Sequence, residues 1–183
     1  MKKIIVLFFM LLGIASVSQA QFFPKVPDMK GKAIFGGNLG LGLNGNRFNL
    51  TLAPQVGYRV FNFVELGARG SYSLNMYFSR QYGTESLHGF GFGPYITFQV
   101  YSGLVIHGEY ERLYLLQHYN GQNVGNWYNN FFVGGGYRSY TSERSYAFFL
   151  LLYNLNWDHQ NMHEGGSPYA SPLQIRVGYC FGV

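Results

Sequence analysis

Leu173-Gln174-Ile175-Arg176-Val177-Gly178-Tyr179-Cys180-Phe181-Gly182-Val183 alternates with a period of two. In an extended strand successive side chains point to opposite faces. Leu173, Ile175, Val177, Tyr179, Phe181 and Val183 therefore share one face, and Gln174, Arg176, Gly178, Cys180 and Gly182 share the other. The same pattern recurs upstream. Leu50, Leu52, Val56, Tyr58 and Val60 alternate with polar or small residues, as do Phe90, Phe92, Ile96, Phe98 and Val100. Working back from the last stretch, the pattern predicts eight strands, at 33–43, 48–60, 64–79, 90–101, 104–115, 127–139, 146–157 and 173–183.

Each predicted strand is at least as long as the ~9–11 residues that a tilted strand needs to cross a bilayer. The connections alternate. In order, the gaps 44–47, 61–63, 80–89, 102–103, 116–126, 140–145 and 158–172 are by turns longer and shorter. Short turns on one side and longer loops on the other is the layout of a bacterial outer-membrane barrel. An even strand number sets both termini on the short-turn, periplasmic side. Three places complicate the pattern. Pro54 and Pro94 fall inside strands, where each removes a ladder hydrogen bond and predicts a local bulge. The run Phe148-Phe149-Leu150-Leu151-Leu152 is apolar on both faces, and the alternation slips near Arg112-Leu113.

Alternation alone would also suit a soluble barrel with a greasy interior. Residue size separates the two. One face carries bulky Phe, Tyr, Leu and Val; the other carries Gly40, Gly42, Gly57, Gly67, Gly91, Gly93, Gly134, Gly136 and Gly178 with most of the strand charges. An eight-stranded barrel is only just wide enough for side chains to fill. The glycine-and-charge face therefore points inward, and the apolar face outward to lipid. Arg59, Arg69, Arg138 and Arg176 then lie inside with Glu65, Glu109, Glu111 and His107. An unpaired buried charge is costly, so these groups are expected to pair into a structural plug rather than an ion-selective pore. Counted from the turns, Arg69, Glu111 and Arg176 sit at middle depth and Arg59, Glu65, Glu109 and Arg138 lower.

The beginning of the chain reads as a leader. Lys2 and Lys3 precede an apolar run from Ile4 to Ile14, and Ser18-Gln19-Ala20 offers the small residues that a signal peptidase needs. Cleavage after Ala20 is expected, so 1–20 is a signal peptide, 21–32 a periplasmic lead-in and 33–183 the barrel. An uncleaved anchor helix would have a core too short for the bilayer. Composition agrees with a barrel. The chain has 16 Tyr, 17 Phe and 25 Gly, only 11% charged residues, and past the leader no run approaching the ~20 apolar residues of a membrane helix. The net charge of +5, part of it in the leader, is spread without a basic cluster and argues against nucleic acid. Cys180 is the single cysteine, so no internal disulfide can form.

Val56-Gly57-Tyr58-Arg59, His107-Gly108-Glu109-Tyr110-Glu111, Gly134-Gly135-Gly136-Tyr137, Tyr153-Asn154-Leu155-Asn156 and Ser167-Pro168-Tyr169-Ala170-Ser171-Pro172 together resemble the small outer-membrane β-barrel proteins of Bacteroidota. The resemblance implies an outer-membrane location and about eight strands, and no settled activity. Similar chains sometimes carry a 2-oxoglutarate decarboxylase label; that chemistry needs a thiamine-diphosphate site, and this chain has neither the length nor the Gly-Asp-Gly motif.

Candidate chemistry is sparse. His107 beside Glu109 could form a general base, but no Ser or Cys nucleophile is evidently placed with it. No His-x-Ser motif of the kind expected for an envelope enzyme acting on lipid A is present. Asp158, His159, His163 and Glu164, with His118, could ligate zinc, although no helix holds that spacing. Tyr72, Tyr77, Tyr95, Trp127, Tyr128, Trp157 and Tyr169 fit interfacial girdles better than sugar stacking. The expectation is an all-β, eight-stranded antiparallel transmembrane up-and-down barrel with a polar, plugged lumen. It would be non-enzymatic and cofactor-free, would meet outer-membrane lipid and the barrel-assembly machinery, and would act through its surface loops. A narrow transporter or a small envelope enzyme is the alternative.

Overall fold

The computed structural model describes residues 28, 31–44, 47–79, 83–119, 122–157, 169 and 171–183. The expected leader and most of the 21–32 lead-in lie outside them. The chain forms β1 (Ala33–Asn44), β2 (Arg47–Phe61), β3 (Val64–Ser79), β4 (Gly83–Tyr101), β5 (Leu104–Tyr119), β6 (Gln122–Ser142), β7 (Ser145–Asn154) and β8 (Leu173–Gly182). Every strand pairs antiparallel with its neighbours in sequence, and β8 returns to β1, closing an up-and-down barrel.

The lower turns are 62–63, 102–103 and 143–144, so the expected turns at 61–63 and 140–145 tighten and the one at 102–103 stands as expected. Register shifts fall between Arg59 and Phe61, Gln99 and Tyr101, and Tyr140 and Ser142, each beside a two-residue turn. Bulges belong at such rims, where they increase twist. The expected bulges at Pro54 and Pro94 are absent. Both rings point outward, and the β2–β3 and β4–β5 ladders skip the pairs beside them without changing register. A missing N–H costs a rung; it does not force an extra residue into the strand. Nor does the alternation slip in β5: Arg112 is exposed and Leu113 buried, in step with the rest of that strand.

The upper ends differ most from expectation. β4 begins at Gly83 and β6 at Gln122, so most of the expected loops 80–89 and 116–126 is paired strand. Ladders Ser79–Gly83 and Tyr119–Gln122 carry the hairpins well above the minimum needed to cross a bilayer. The one long connection that remains runs from β7 to β8.

The apolar face looks outward, with Val56, Phe92, Ile106, Val133, Phe149 and Ile175 among many exposed large side chains. The interior is not uniformly polar. In β7, Phe148, Leu150 and Leu152 are buried and Phe149, Leu151 and Tyr153 exposed, which resolves the doubly apolar run. The buried set packs with Ile34, Val105, Phe132, Tyr146 and Cys180. Room for it comes from glycines across the ladder: Gly134 opposes Leu152, Gly136 opposes Leu150, and Gly178 opposes Phe148.

Tyr95 follows the same rule. It lies opposite Gly67, and a Cβ built there would sit 2.5 Å from the Tyr95 ring and 2.4 Å from the Val56 carbonyl oxygen. Gly67→Val is therefore expected to lose about 1–3 kcal/mol through overpacking. The outward neighbour Ala68→Val should be close to neutral, and urea midpoints of the two refolded variants in lipid vesicles compare them.

Candidate functional site

All eight expected lumen residues are buried: Arg59, Glu65, Arg69, His107, Glu109, Glu111, Arg138 and Arg176. Strand register sorts them into three groups. The lowest centres on Glu65, next to the β2–β3 turn. Its Oε2 accepts from Arg59 Nη2 at 3.2 Å and from Arg138 Nη1 at 2.8 Å. Tyr95 and Tyr146 donate their hydroxyls to the same carboxylate, at 2.9 Å and 3.1 Å. The Arg138 guanidinium also stands 4.5 Å from the Tyr146 ring centroid. Two guanidiniums share one carboxylate, and aromatic faces take part of the surplus positive charge.

The middle group centres on Glu109. Arg69 Nη1 reaches its Oε1 at 3.0 Å, and Arg176 Nη1 binds its Oε2. His107 Nε2 lies 3.3 Å from the same Oε2, and His107 Nδ1 lies 2.8 Å from Thr97 Oγ1. Counting from the turns set Glu109 with Arg59 and Glu65; the structure joins it to Arg69 and Arg176. Barrel strands tilt and stagger, so equal counts from different turns do not reach equal depths.

The highest group surrounds Glu111. Ser71 Oγ donates to it at 2.7 Å, Asn130 Nδ2 at 3.4 Å and Tyr169 Oη at 2.5 Å. Tyr169 descends from the β7–β8 connection, packs edge-on against Phe132, and has its carbonyl bound by Trp157 Nε1 at 2.8 Å. Burial, reinforced by the Glu111 charge, raises the Tyr169 phenol well above its ordinary pKa, so it acts as a donor here. Tyr169→Phe leaves Glu111 one donor short. It should lose about 1–3 kcal/mol of stability, visible as an earlier urea midpoint.

Among the described residues, no buried side-chain nitrogen or oxygen lacks a hydrogen-bond partner. Thr97 extends the anticipated His107–Glu109 pair into a hydroxyl–imidazole–carboxylate chain; the sequence did not suggest Thr97, which is ten residues from His107 and meets it through β4–β5 pairing. That order could in principle move a proton. Thr97 and His107 are only 2% and 5% exposed, however, and Tyr95 stacks over the imidazole. The hydroxyl has no open path to a substrate.

Above this layer lies a cavity of about 660 Å³, floored by Arg69, Glu111 and Arg176 and walled by Asn38, Thr51, Ser71, Ser73, Leu113 and Gln174.

Barrels of this architecture have been solved before. The chain is similar to the N-terminal β-barrel domain of Pseudomonas aeruginosa OprF, at 12% identity over 84% of this chain and 98% of that one, with a TM-score of 0.52. A structure described as de novo design of transmembrane β-barrels shares 12% identity over 86% of this chain and 99% of its own, with a TM-score of 0.45. Such identities speak to the fold alone. No protein-family model matches the sequence, and no curated protein matches it.

Several site residues carry a signal that alternation alone could not rank. Tyr95, Tyr146, Thr97 and Asn130 share the inward parity of the charged residues, yet a tyrosine reads equally well as a girdle residue. Tyr95 and Tyr169, both expected among girdle aromatics, are lumen donors, whereas Trp127 stands outside under the Arg112 guanidinium at 5.0 Å. Asp158, His159, His163 and Glu164, the possible zinc ligands, lie outside the described residues, as does the side chain of His118. Among the described residues, no group of three or more His, Cys, Asp or Glu side chains is arranged to hold a metal.

Proposed function

We propose that this protein is a non-enzymatic integral protein of a bacterial outer membrane, contributing to envelope integrity or to surface contacts. The observation that carries the proposal is the division of the barrel wall. Large apolar side chains such as Phe92, Val133 and Ile175 stand exposed outside, while four Arg and three Glu side chains are buried within, six of them in ion pairs and Glu111 hydrogen-bonded to neutral donors. In water that arrangement is inverted; in lipid it is the expected one. No described helix is long and apolar enough to cross a membrane, and strands need none.

Several further features support the reading. The leader pattern of residues 1–20 fits export, and folding would then pass through the barrel-assembly machinery. The resemblance to the small barrels of Bacteroidota agrees with that route. Contacts would fall on the segments expected at the cell surface, 80–89, 116–126 and 158–172. Outer-membrane fractionation followed by gels of boiled and unboiled samples tests the location. A heat-dependent shift in the membrane fraction is expected, and solubility without detergent and without a shift would overturn it. A deletion strain scored for detergent sensitivity, adhesion and lipid A composition then tests the role. Altered lipid A with intact barrier and adhesion would favour an enzyme instead.

A further inference from the structure

The β1–β8 seam is unlike the others. Its ladder runs only from Ile34–Gly182 to Gly37–Tyr179, four pairs, whereas every other seam has nine or more. Continued in register, Asn38 would face Gly178, Leu39 would face Val177 and Gly40 would face Arg176. None of these pairs forms, although β1 continues to Asn44 and β8 begins at Leu173. The strands fork between two glycines. Gly37 has φ +151°, a conformation that side-chain-bearing residues rarely adopt, and Gly178 sits against its carbonyl.

The cavity above Glu111 reaches this fork. Its lining comes from inward-facing residues right across the lumen, including Ser73 on β3 and Leu113 on β5. Among the described strand residues that line it, the outward-facing ones are Leu39, Ile175 and Val177, and all three lie on the forked strands. They are also among the most exposed large apolar residues of the barrel, at 72%, 66% and 58%. A lumen cavity bordered by outward side chains at one seam alone is a cavity that passes through the wall there.

We propose that this fork is a side entrance from the outer leaflet into a binding pocket, and that its ligand is a single-chain amphiphile with an uncharged, hydroxyl-bearing head. The proposal rests on the membrane reading above. The pocket volume falls within the ~300–1,000 Å³ of small-molecule sites. Unpaired strand edges cannot face hydrocarbon, so the fork must offer its backbone to something polar. A hydroxyl-bearing head does that and then meets Asn38, Thr51, Ser71, Ser73 and Gln174. The floor favours no ion, because Arg69 and Arg176 are matched by Glu109 and Glu111. The acyl chain stays between the parted strands, on Leu39, Ile175 and Val177.

The test uses the refolded protein in phosphatidylcholine vesicles with a C16 monoacylglycerol analogue carrying a diazirine on its glycerol. Peptides containing Ser71, Ser73 and Leu113 should be labelled, and unlabelled monopalmitoylglycerol should compete while palmitate at equal concentration does not. Gly40→Trp should cut this labelling by about tenfold or more, equivalent to at least ~1.4 kcal/mol of binding. A Cβ at Gly40 meets only the Thr51 side chain, at 3.5 Å, so the new ring has space and fills the mouth. Ser73→Phe blocks from the opposite wall should Gly40→Trp fail to fold. Labelling confined to outward residues, or unchanged in a folded blocking variant, overturns the entrance. Preferential competition by palmitate overturns the neutral head, and a disulfide-linked dimer of Leu39→Cys in a Cys180→Ala background shows that a second copy covers the fork instead. Loss of the heat-dependent gel shift in the unmodified protein would sink the membrane reading itself, a failure distinct from all of these.

Discussion

Glu65→Gln should be among the most destabilising single substitutions in the barrel, lowering stability by about 3–5 kcal/mol. Among the described residues, Glu65 is the only carboxylate that meets Arg59 and Arg138 in ion pairs, and all three side chains are nearly inaccessible. Glutamine keeps the shape and one acceptor, but leaves two guanidiniums without a counter-charge in a closed interior. The tyrosines cannot replace it: Tyr95 and Tyr146 are donors to Glu65, and the Tyr146 ring offers the two guanidiniums a cation–π contact rather than a counter-charge. The midpoint of urea unfolding in lipid vesicles measures the loss. Adding Arg138→Met should recover part of it, because deleting the second charge relieves the penalty that the first deletion created. A double variant no better than Glu65→Gln alone would show that the loss comes from the tyrosine hydrogen bonds.

Much of this interior was legible because parity survives along each strand. Once Leu173 to Val183 assigned apolar residues to the outside, Arg176 had to point inward, and the same step placed Arg59, Arg69, Arg138 and the three glutamates. Partners were not legible. Arg69 and Glu109 are 40 residues apart and Arg176 and Glu109 are 67, and what joins them is barrel stagger, which no local pattern records. The apolar inner face of β7 was hidden for a related reason. Phe148, Leu150 and Leu152 are accommodated by glycines on β6 and β8, so the volume balance is struck between strands rather than within one. The upper strand ends failed differently. From Gly83 to Gly89 the residues are mostly small or polar on both faces, so alternation fades although pairing continues from below. The fork at β1–β8 leaves no trace in either strand's own pattern, since Leu39 and Val177 alternate as a closed seam would require.

Glu109→Gln together with Glu111→Gln separates a plug from a gate. Glu109 holds Arg69, Arg176 and His107, so removing its charge is expected to cost about 3–5 kcal/mol, with a smaller share from Glu111, whose donors Ser71, Asn130 and Tyr169 are neutral. Steady conductance in planar bilayers should nevertheless not appear. Glutamine fills almost the same space, and two other layers remain: Glu65 with its arginines and tyrosines, and the packed cluster of Ile34, Phe132, Phe148 and Leu152. In a barrel of eight strands, side-chain volume closes the lumen and charge pairing only makes the burial of polar groups tolerable. The expected result is a barrel that unfolds at lower urea yet stays electrically silent. Large, long-lived currents from a variant that still shows the heat-dependent shift would mean that the Glu109 pairs themselves hold a channel shut. Arg176→Met added to the double variant distinguishes the two further. It should raise the unfolding midpoint by removing an unmatched cation and leave the bilayer silent, whereas a charge-latched gate would remain open.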